Sequence, residues 1–414
     1  MKIGYACIPI TIPYRTNRKL FLKDYSEEKL IEILKYNLED LKYILMDNLK
    51  NNIYMFRISS DIVPLGSHEI NTFDWSNYFK NELREIGNYA KNNNIRLSMH
   101  PGQYTVINSP DPNIVSKSIR DIEYHCLFLD SLDVDYSNKI VLHIGGVYGD
   151  KNASIKRFIN SFDSLSTSAQ KRLIIENDEK NFSLDEVFYI SKTLNIPMVY
   201  DNLHNDCYGD NNYSFYDIYS KVITTWKECD GQMKVHYSQQ ALDKKMGSHS
   251  NTIFIKDFLR YYNEIKEFNA DIMLEVKDKD ISAIKCINVL EELNNSPLKI
   301  SKLYEEWAKY KYLIMEHDYS FYKQVSSLVK NNCSFLEFYS LVDDALNKPL
   351  NIGSQKNTFD HVWGYVKNNA SNFEKNHFAK LMSSEDMSKV KLYLKKLCSK
   401  YNSEYMLNSY FFSQ

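Results

Sequence analysis

Imidazoles and carboxylates recur along this chain at one kind of position, in or just after a short apolar run: His100, His143, Glu176, Asp201 with His204, His236 and Glu275, with His249 following the seventh run. Ring nitrogens mixed with carboxylate oxygens form the ligand set of Zn, Mn or Fe(II), whereas an all-oxygen set suits Mg or Ca. Eight such groups exceed one four-coordinate site, so two or three divalent ions sharing a bridging carboxylate are expected. Clustered ions of this kind suit phosphodiester cleavage, one activating the attacking water while others hold the phosphate oxygens and the leaving 3′-oxygen. A lone His near a strand end is more often a structural hydrogen-bonding residue, and His125 fits that description. Eight ligand-type residues at one end of a repeating architecture are not explained that way. Lys234, two residues before His236, is by itself weaker evidence, because a lysine there is more often solvated or salt-bridged.

The elements that must position these groups are eight β-rich runs: Lys2 to Ile8, Ile53 to Ser60, Ile95 to Met99, Lys139 to Ile144, Arg172 to Ile175, Pro197 to Tyr200, Gln232 to Tyr237 and Asp271 to Val276. Between them apolar residues fall at helical spacing, as at Leu30, Ile33, Leu34, Leu38 and Leu41. Strand then helix, repeated eight times, predicts an α/β architecture with a parallel sheet and crossover helices. The length fits a (β/α)8 TIM barrel, and a doubly wound open sheet fits the rhythm as well. The polar residues favour the barrel, in which all strand C-termini converge on one mouth.

Residues 299–414 differ. They carry sixteen Lys, no Arg and twelve acids, a net +4 against −6 for residues 1–298. Helices are expected at Tyr304 to Lys330, Ser334 to Leu346, Thr358 to Lys367 and Ser384 to Tyr401, separated by turn residues such as Asn331-Asn332. The chain of 414 residues is therefore divided into a barrel, 1–298, and an additional all-α C-terminal domain, 299–414.

Seven scattered Cys with no Cys-x-x-Cys pair exclude a disulfide framework and a Cys-rich zinc site. The N-terminus is unlike a signal peptide, and no run reaches the roughly 18 apolar residues of a membrane span. A cytoplasmic protein with no membrane partner is expected. A formal charge of −2 removes the simplest argument for nucleic-acid binding, a strongly basic balance.

Phe56-Arg57-Ile58-Ser59-Ser60-Asp61-Ile62-Val63-Pro64-Leu65 with His68, His100-Pro101-Gly102-Gln103-Tyr104, His143-Ile144-Gly145-Gly146, Glu176-Asn177-Asp178, Lys234-Val235-His236 and Gly247-Ser248-His249 resemble the UV damage endonucleases, barrel enzymes related to endonuclease IV. The resemblance spans about residues 1–295, with motifs on nearly every strand. It implies a three-metal centre, usually described with manganese; Zn or another transition metal is compatible with the ligands. His100, His143 and Glu176 would hold one ion, Glu176, Asp201, His236 and Glu275 a second, and His204 with His249 a third. Lys234 corresponds to a lysine that can be carboxylated on its amine, which makes an apparent cation anionic. His68 matches a histidine beside the metals, with a catalytic or phosphate-contacting role.

The implied activity is nicking of damaged double-stranded DNA immediately 5′ to cyclobutane dimers and 6-4 photoproducts, and at abasic sites, leaving 3′-hydroxyl and 5′-phosphate ends. Gln103 and Tyr104 match a pair that fills the gap opposite the lesion, and Tyr5 an aromatic near the flipped bases. Pro9 departs from the family, standing where an Asn often contacts the flipped nucleotides, so the lesion range is open. Bound cations would cancel the charge of Glu176, Asp201 and Glu275 and present a positive mouth to phosphate. The competing readings are an endonuclease IV-like abasic-site enzyme, a metal-dependent sugar isomerase and a non-enzymatic scaffold.

The tail sequences Trp307 to Met315 and Asn357 to Tyr365 resemble an uncharacterised helical domain found fused to thiouracil desulfurase-like proteins. Lys309, Lys311, Lys323, Lys356 and Lys367 interleave with aromatics, a composition that suits contact with nucleic acid or another protein. A Tyr-rich helical core with solvated lysines is the favoured account of most of these aromatics.

Overall fold

The computed structural model describes residues 1–209, 213–242, 244–294, 300–384 and 386–413. All eight expected runs form strands: β1 (Ile3–Ala6), β2 (Met55–Arg57), β3 (Arg96–Met99), β4 (Lys139–His143), β5 (Leu173–Glu176), β6 (Met198–Val199), β7 (Lys234–Tyr237) and β8 (Asp271–Leu274). Their order, β6-β5-β4-β3-β2-β1-β8-β7, is the chain order read around a ring, and every neighbouring pair is parallel. A parallel bridge between Asp201 and His236, with the His236 amide donating to the Tyr200 carbonyl at 3.0 Å, links β6 to β7 and closes the ring. The expected barrel is the fold.

Strands such as Ile140-Val141-Leu142 and Leu173-Ile174-Ile175 are apolar on both faces because one faces the barrel interior and the other the helical layer. The surrounding helices start at side-chain caps. Ser26 accepts from the Lys29 amide, Asp150 from Ala153, and Ser183 pairs with Glu186 in a capping box. In the helix Glu27–Lys50, buried Leu30, Leu34, Leu38, Leu41 and Leu45 form the stripe that packs inward.

Side-chain alternation sets the contents of the barrel. Along β7 it puts Lys234 and His236 on one face; along β8 and just beyond, Asp271, Met273 and Glu275. The strand starts form an ionic floor. Arg96 pairs with Asp271 at 3.0 Å, and Lys139 donates to Asp230 at 2.5 Å, all four side chains being buried. Ala6, Met55 and Met273 form an apolar middle, and the His/carboxylate residues lie at the strand ends above it.

The chain divides into two compact units, Met1–Pro9 with Pro13–Ile253 and Leu259–Ile284, and Ile10–Ile12 with Phe254–Phe258 and Lys285–Gln414. The expected boundary between 298 and 299 lies outside the described residues. In the second unit the helices Ile300–His317, Tyr319–Lys330, Phe335–Leu346, Ile352–Trp363, Asn372–Met382 and Met387–Lys400 surround a core that includes Met315, Phe359, Val362, Phe378, Leu394 and Phe411. Two expectations are corrected. The single helix expected at 304–330 breaks at Asp318, whose carboxylate accepts from the Ser320 and Phe321 amides and starts a new helix. The helix Asn372–Met382 was not anticipated, although Ser371 and Glu374 form a capping box at its start. Among the tail lysines singled out, Lys309 is paired with Glu305 and Glu306, Lys311 lies over Tyr312 and Tyr405, and Lys323 over Tyr319. Among the described residues no helix is long and apolar enough to cross a membrane.

Candidate metal centre

Glu176, the last residue of β5, is fully buried and is the hub of the strand-end cluster. Its Oε1 lies 2.7 Å from His236 Nδ1 and 3.4 Å from His204 Nδ1; its Oε2 lies 3.3 Å from His100 Nε2 and 3.9 Å from His143 Nε2. Four imidazoles from four segments thus meet one carboxylate. The parallel register places His143 beside Glu176 directly, whereas His100 follows β3 by one residue.

Asp201 follows β6 and caps the helix Asn202–Tyr208, its Oδ1 accepting from the His204 amide at 2.9 Å. That cap fixes His204, whose Nδ1 lies 3.9 Å from the same oxygen. Asn177 holds this corner from behind, exchanging hydrogen bonds with the Asp201 backbone at 2.9 and 3.0 Å. On the other side Glu275 Oε1 lies 3.3 Å from His236 Nδ1, and Oε2 is 3.8 Å from His249 Nε2.

Among the described residues, ligand-type atoms fall into three groups, each closely spaced enough to hold an ion: His100, His143 and Glu176; Glu176, Asp201 and His204; Glu176, His236 and Glu275. Glu176 belongs to all three. His100, His143 and Glu176 form the first of these groups, and Asp201 groups with His204, its Oδ1 also serving the helix cap. His249 lies 3.8 Å from Glu275 and, among the described residues, belongs to none of the three groups.

The electrostatics suit metal ligation. Burial drives the His143 and His236 imidazoles down to about 4, which keeps the rings neutral and able to donate a lone pair. Burial, opposed by His204, pushes Asp201 up to about 7; His204 moves up to about 11 because Asp201 and Glu176 outweigh its own burial. Such opposed shifts mark negative charge packed more densely than the local hydrogen bonds neutralise, which a divalent cation would relieve. His143 Nδ1 is buried with no hydrogen-bond partner. Lys234 Nζ is also buried without one, and burial, then the Arg57 and Arg96 charges, hold its amine well below the ordinary lysine value. The donor set therefore fits transition-metal ions.

The remaining residues fall in three places. Gln103 and Tyr104 stand exposed in the loop after β3, Tyr104 at 84%. That loop walls a cavity of about 850 Å³ that is also lined by His143, Gly145, Tyr148 and Lys180. His68 is in an exposed turn, its Nδ1 accepting from the Ile70 amide, and joins none of the three groups. Tyr5 is 1% exposed; it falls on the β1 face opposite Gly4 and Ala6, and its hydroxyl donates to Asn48 of the helix Glu27–Lys50 at 2.9 Å. This arrangement offers no Tyr5 surface to a nucleic acid. One further buried strand-end residue, outside the expected ligand set, joins the cluster. Arg57 ends β2, and its guanidinium lies 2.6 Å from Glu275 and 2.8 Å from His236. Its position at a strand end was the available signal.

A parallel (β/α)8 barrel whose strand ends gather four imidazoles around one buried carboxylate defines a class, the barrels with a His/carboxylate centre able to hold metal ions. Within that class the comparisons are specific. Residues 2–308 match the model of the UV-endonuclease UvdE family, and residues 311–414 that of a protein of unknown function, DUF1722. The chain is 56% identical to the UV DNA damage endonuclease of Clostridium perfringens (strain 13 / Type A) over the full length of both. It is 33% identical to that of Bacillus cereus (strain G9842), over 71% of this chain and 95% of the relative. The crystal structure of SacUVDE superposes with a TM-score of 0.68 at 40% identity, covering 72% of this chain and all of that one. The chain belongs to the UvdE family of UV-endonucleases.

Proposed function

We propose that the protein is a metal-dependent endodeoxyribonuclease that nicks duplex DNA immediately 5′ to cyclobutane dimers and 6-4 photoproducts, and at abasic sites, leaving 3′-hydroxyl and 5′-phosphate ends. The observation that carries this reading beyond family membership is one cavity lined both by the exposed Gln103-Tyr104 pair and by His143 of the cluster. A damaged dinucleotide is weakly stacked and costs less to turn out of the helix. Tyr104 is placed to stack in the gap left behind, and Gln103 to hydrogen-bond to the exposed base edges. Lys117 and Lys180 on the cavity wall suit the flanking phosphates, and His68 is assigned a phosphate contact from its exposed turn.

His100, His143, Asp201, His204, His236 and Glu275 are the ligands in this reading, with Glu176 bridging and His249 completing the site through Glu275. Divalent ions, up to three and manganese first among them, would supply Lewis acidity for attack of water on phosphorus as the bond to the 3′-oxygen breaks. The chain's own part is to fix the ligands. Asn177 holds the Asp201 backbone, and the barrel wall keeps Glu176 from turning. The unpartnered amine of Lys234, held below the ordinary lysine value by burial and then by the Arg57 and Arg96 charges, can in its unprotonated form add carbon dioxide, forming an N–C bond and releasing one proton to leave a carbamate. Residues 299–414 are taken as a separate helical domain whose partner, nucleic acid or protein, is open.

Nicking rates on duplexes carrying a single cyclobutane dimer, 6-4 photoproduct or abasic site test the lesion range. Cleavage of both photoproducts is expected, and a family-like preference between them would show that Pro9 does not matter. Cleavage of the abasic duplex alone would establish the endonuclease IV-like reading instead.

A further inference from the structure

Arg57 presents its guanidinium to the same side of β2 as Met55, into the barrel, and is 6% exposed. One terminal nitrogen lies 2.6 Å from Glu275 Oε1 and 2.8 Å from His236 Nε2. A guanidinium carries donors only. His236 Nε2 is therefore the acceptor, so the ring proton is on Nδ1, where it donates to Glu176 Oε1 at 2.7 Å. Both nitrogens of this imidazole are engaged within the protein. A cation ligated through Nε2 must take the place of the guanidinium. One ligated through Nδ1 moves the ring proton to Nε2, where it would face the Arg57 N–H, donor against donor. By either route Arg57 must leave His236.

Resting on the metal-centre reading above, we propose that Arg57 is an internal countercation for the Glu176, His236 and Glu275 group, displaced from His236 when a divalent ion loads there. In the metal-free chain its fixed charge lies beside two carboxylates at the top of the barrel, so the group is held together before any ion arrives. The contrast with His100, His143 and Glu176 is direct, since Arg57 is hydrogen-bonded to neither of those imidazoles. Loading is thus ordered: the group with His100 and His143 fills first, and the group guarded by Arg57 binds more weakly.

The test uses the full chain, stripped with a chelator and titrated with Mn²⁺ by calorimetry and by the electron paramagnetic resonance of free Mn²⁺. Arg57→Met should tighten the weakest class of Mn²⁺ sites about tenfold, because a fixed positive charge close to the ion is gone. It should also lower the melting temperature of the metal-free form while leaving that of the loaded form closer to wild type. A folded Arg57→Met chain whose Mn²⁺ binding is unchanged or weaker overturns the displacement. Should that variant fail to fold, Arg57→Gln decides, since it also removes the fixed charge while its amide can still donate a hydrogen bond. A tightening of about threefold supports the proposal, and none overturns it. A wild-type chain that binds no Mn²⁺ at all would sink the metal-centre reading, and this proposal with it.

Discussion

Glu176→Gln is expected to lower the nicking rate by about a thousandfold or more, the loss of several kcal/mol of transition-state stabilisation, while binding of photoproduct duplex stays near wild type. Glu176 is the one residue common to all three ligand groups, with four imidazoles within 4 Å of its oxygens. The amide removes the anionic charge and replaces one acceptor oxygen with a donor. That donor would face ring nitrogens that must themselves give a lone pair to an ion. Gln103 and Tyr104 stand in a separate loop and are untouched, so recognition should survive. Single-turnover nicking beside fluorescence anisotropy on the same duplex separates the two, and near-wild-type cleavage would refute the role of Glu176.

Replacing Gln103 and Tyr104 together by Ala should have the opposite signature. Each stacked base contributes on the order of 1–3 kcal/mol to binding of this kind, so affinity for a photoproduct duplex should fall at least about fivefold. Manganese content should not change, because neither side chain is among the ligand groups. Stability should not change either, since a side chain that is 84% exposed buries little apolar surface. Undiminished discrimination between damaged and intact duplex would remove the pair from recognition.

The barrel was readable because short β-rich runs alternate with segments of helical apolar spacing, and all eight such runs became strands. The cluster was readable because strand C-termini converge, so His100, His143, Glu176, Asp201, His204, His236 and Glu275 did not need to be near one another in sequence. What escaped depends on which way a side chain turns. Tyr5 falls outside the barrel because a shift of one residue along β1 exchanges its two faces. Arg57 sits in a recognised motif, yet no local pattern says that a guanidinium will span Glu275 and His236, residues 218 and 179 positions further along the chain. Asp318 reads equally as a helix-surface acid or as a cap, and only its bonds to the Ser320 and Phe321 amides decide.

The central claim is a lesion-directed cut that depends on this cluster, and its most direct test is the cut itself. A duplex with one cyclobutane dimer, end-labelled on the damaged strand, is incubated with the chelator-treated chain with and without added Mn²⁺, and the product is sized against a ladder. A single 3′-hydroxyl end at the phosphodiester immediately 5′ to the dimer, formed only with the metal, is the predicted result. Cleavage at that position without metal, or no cleavage with Mn²⁺ restored, would contradict it.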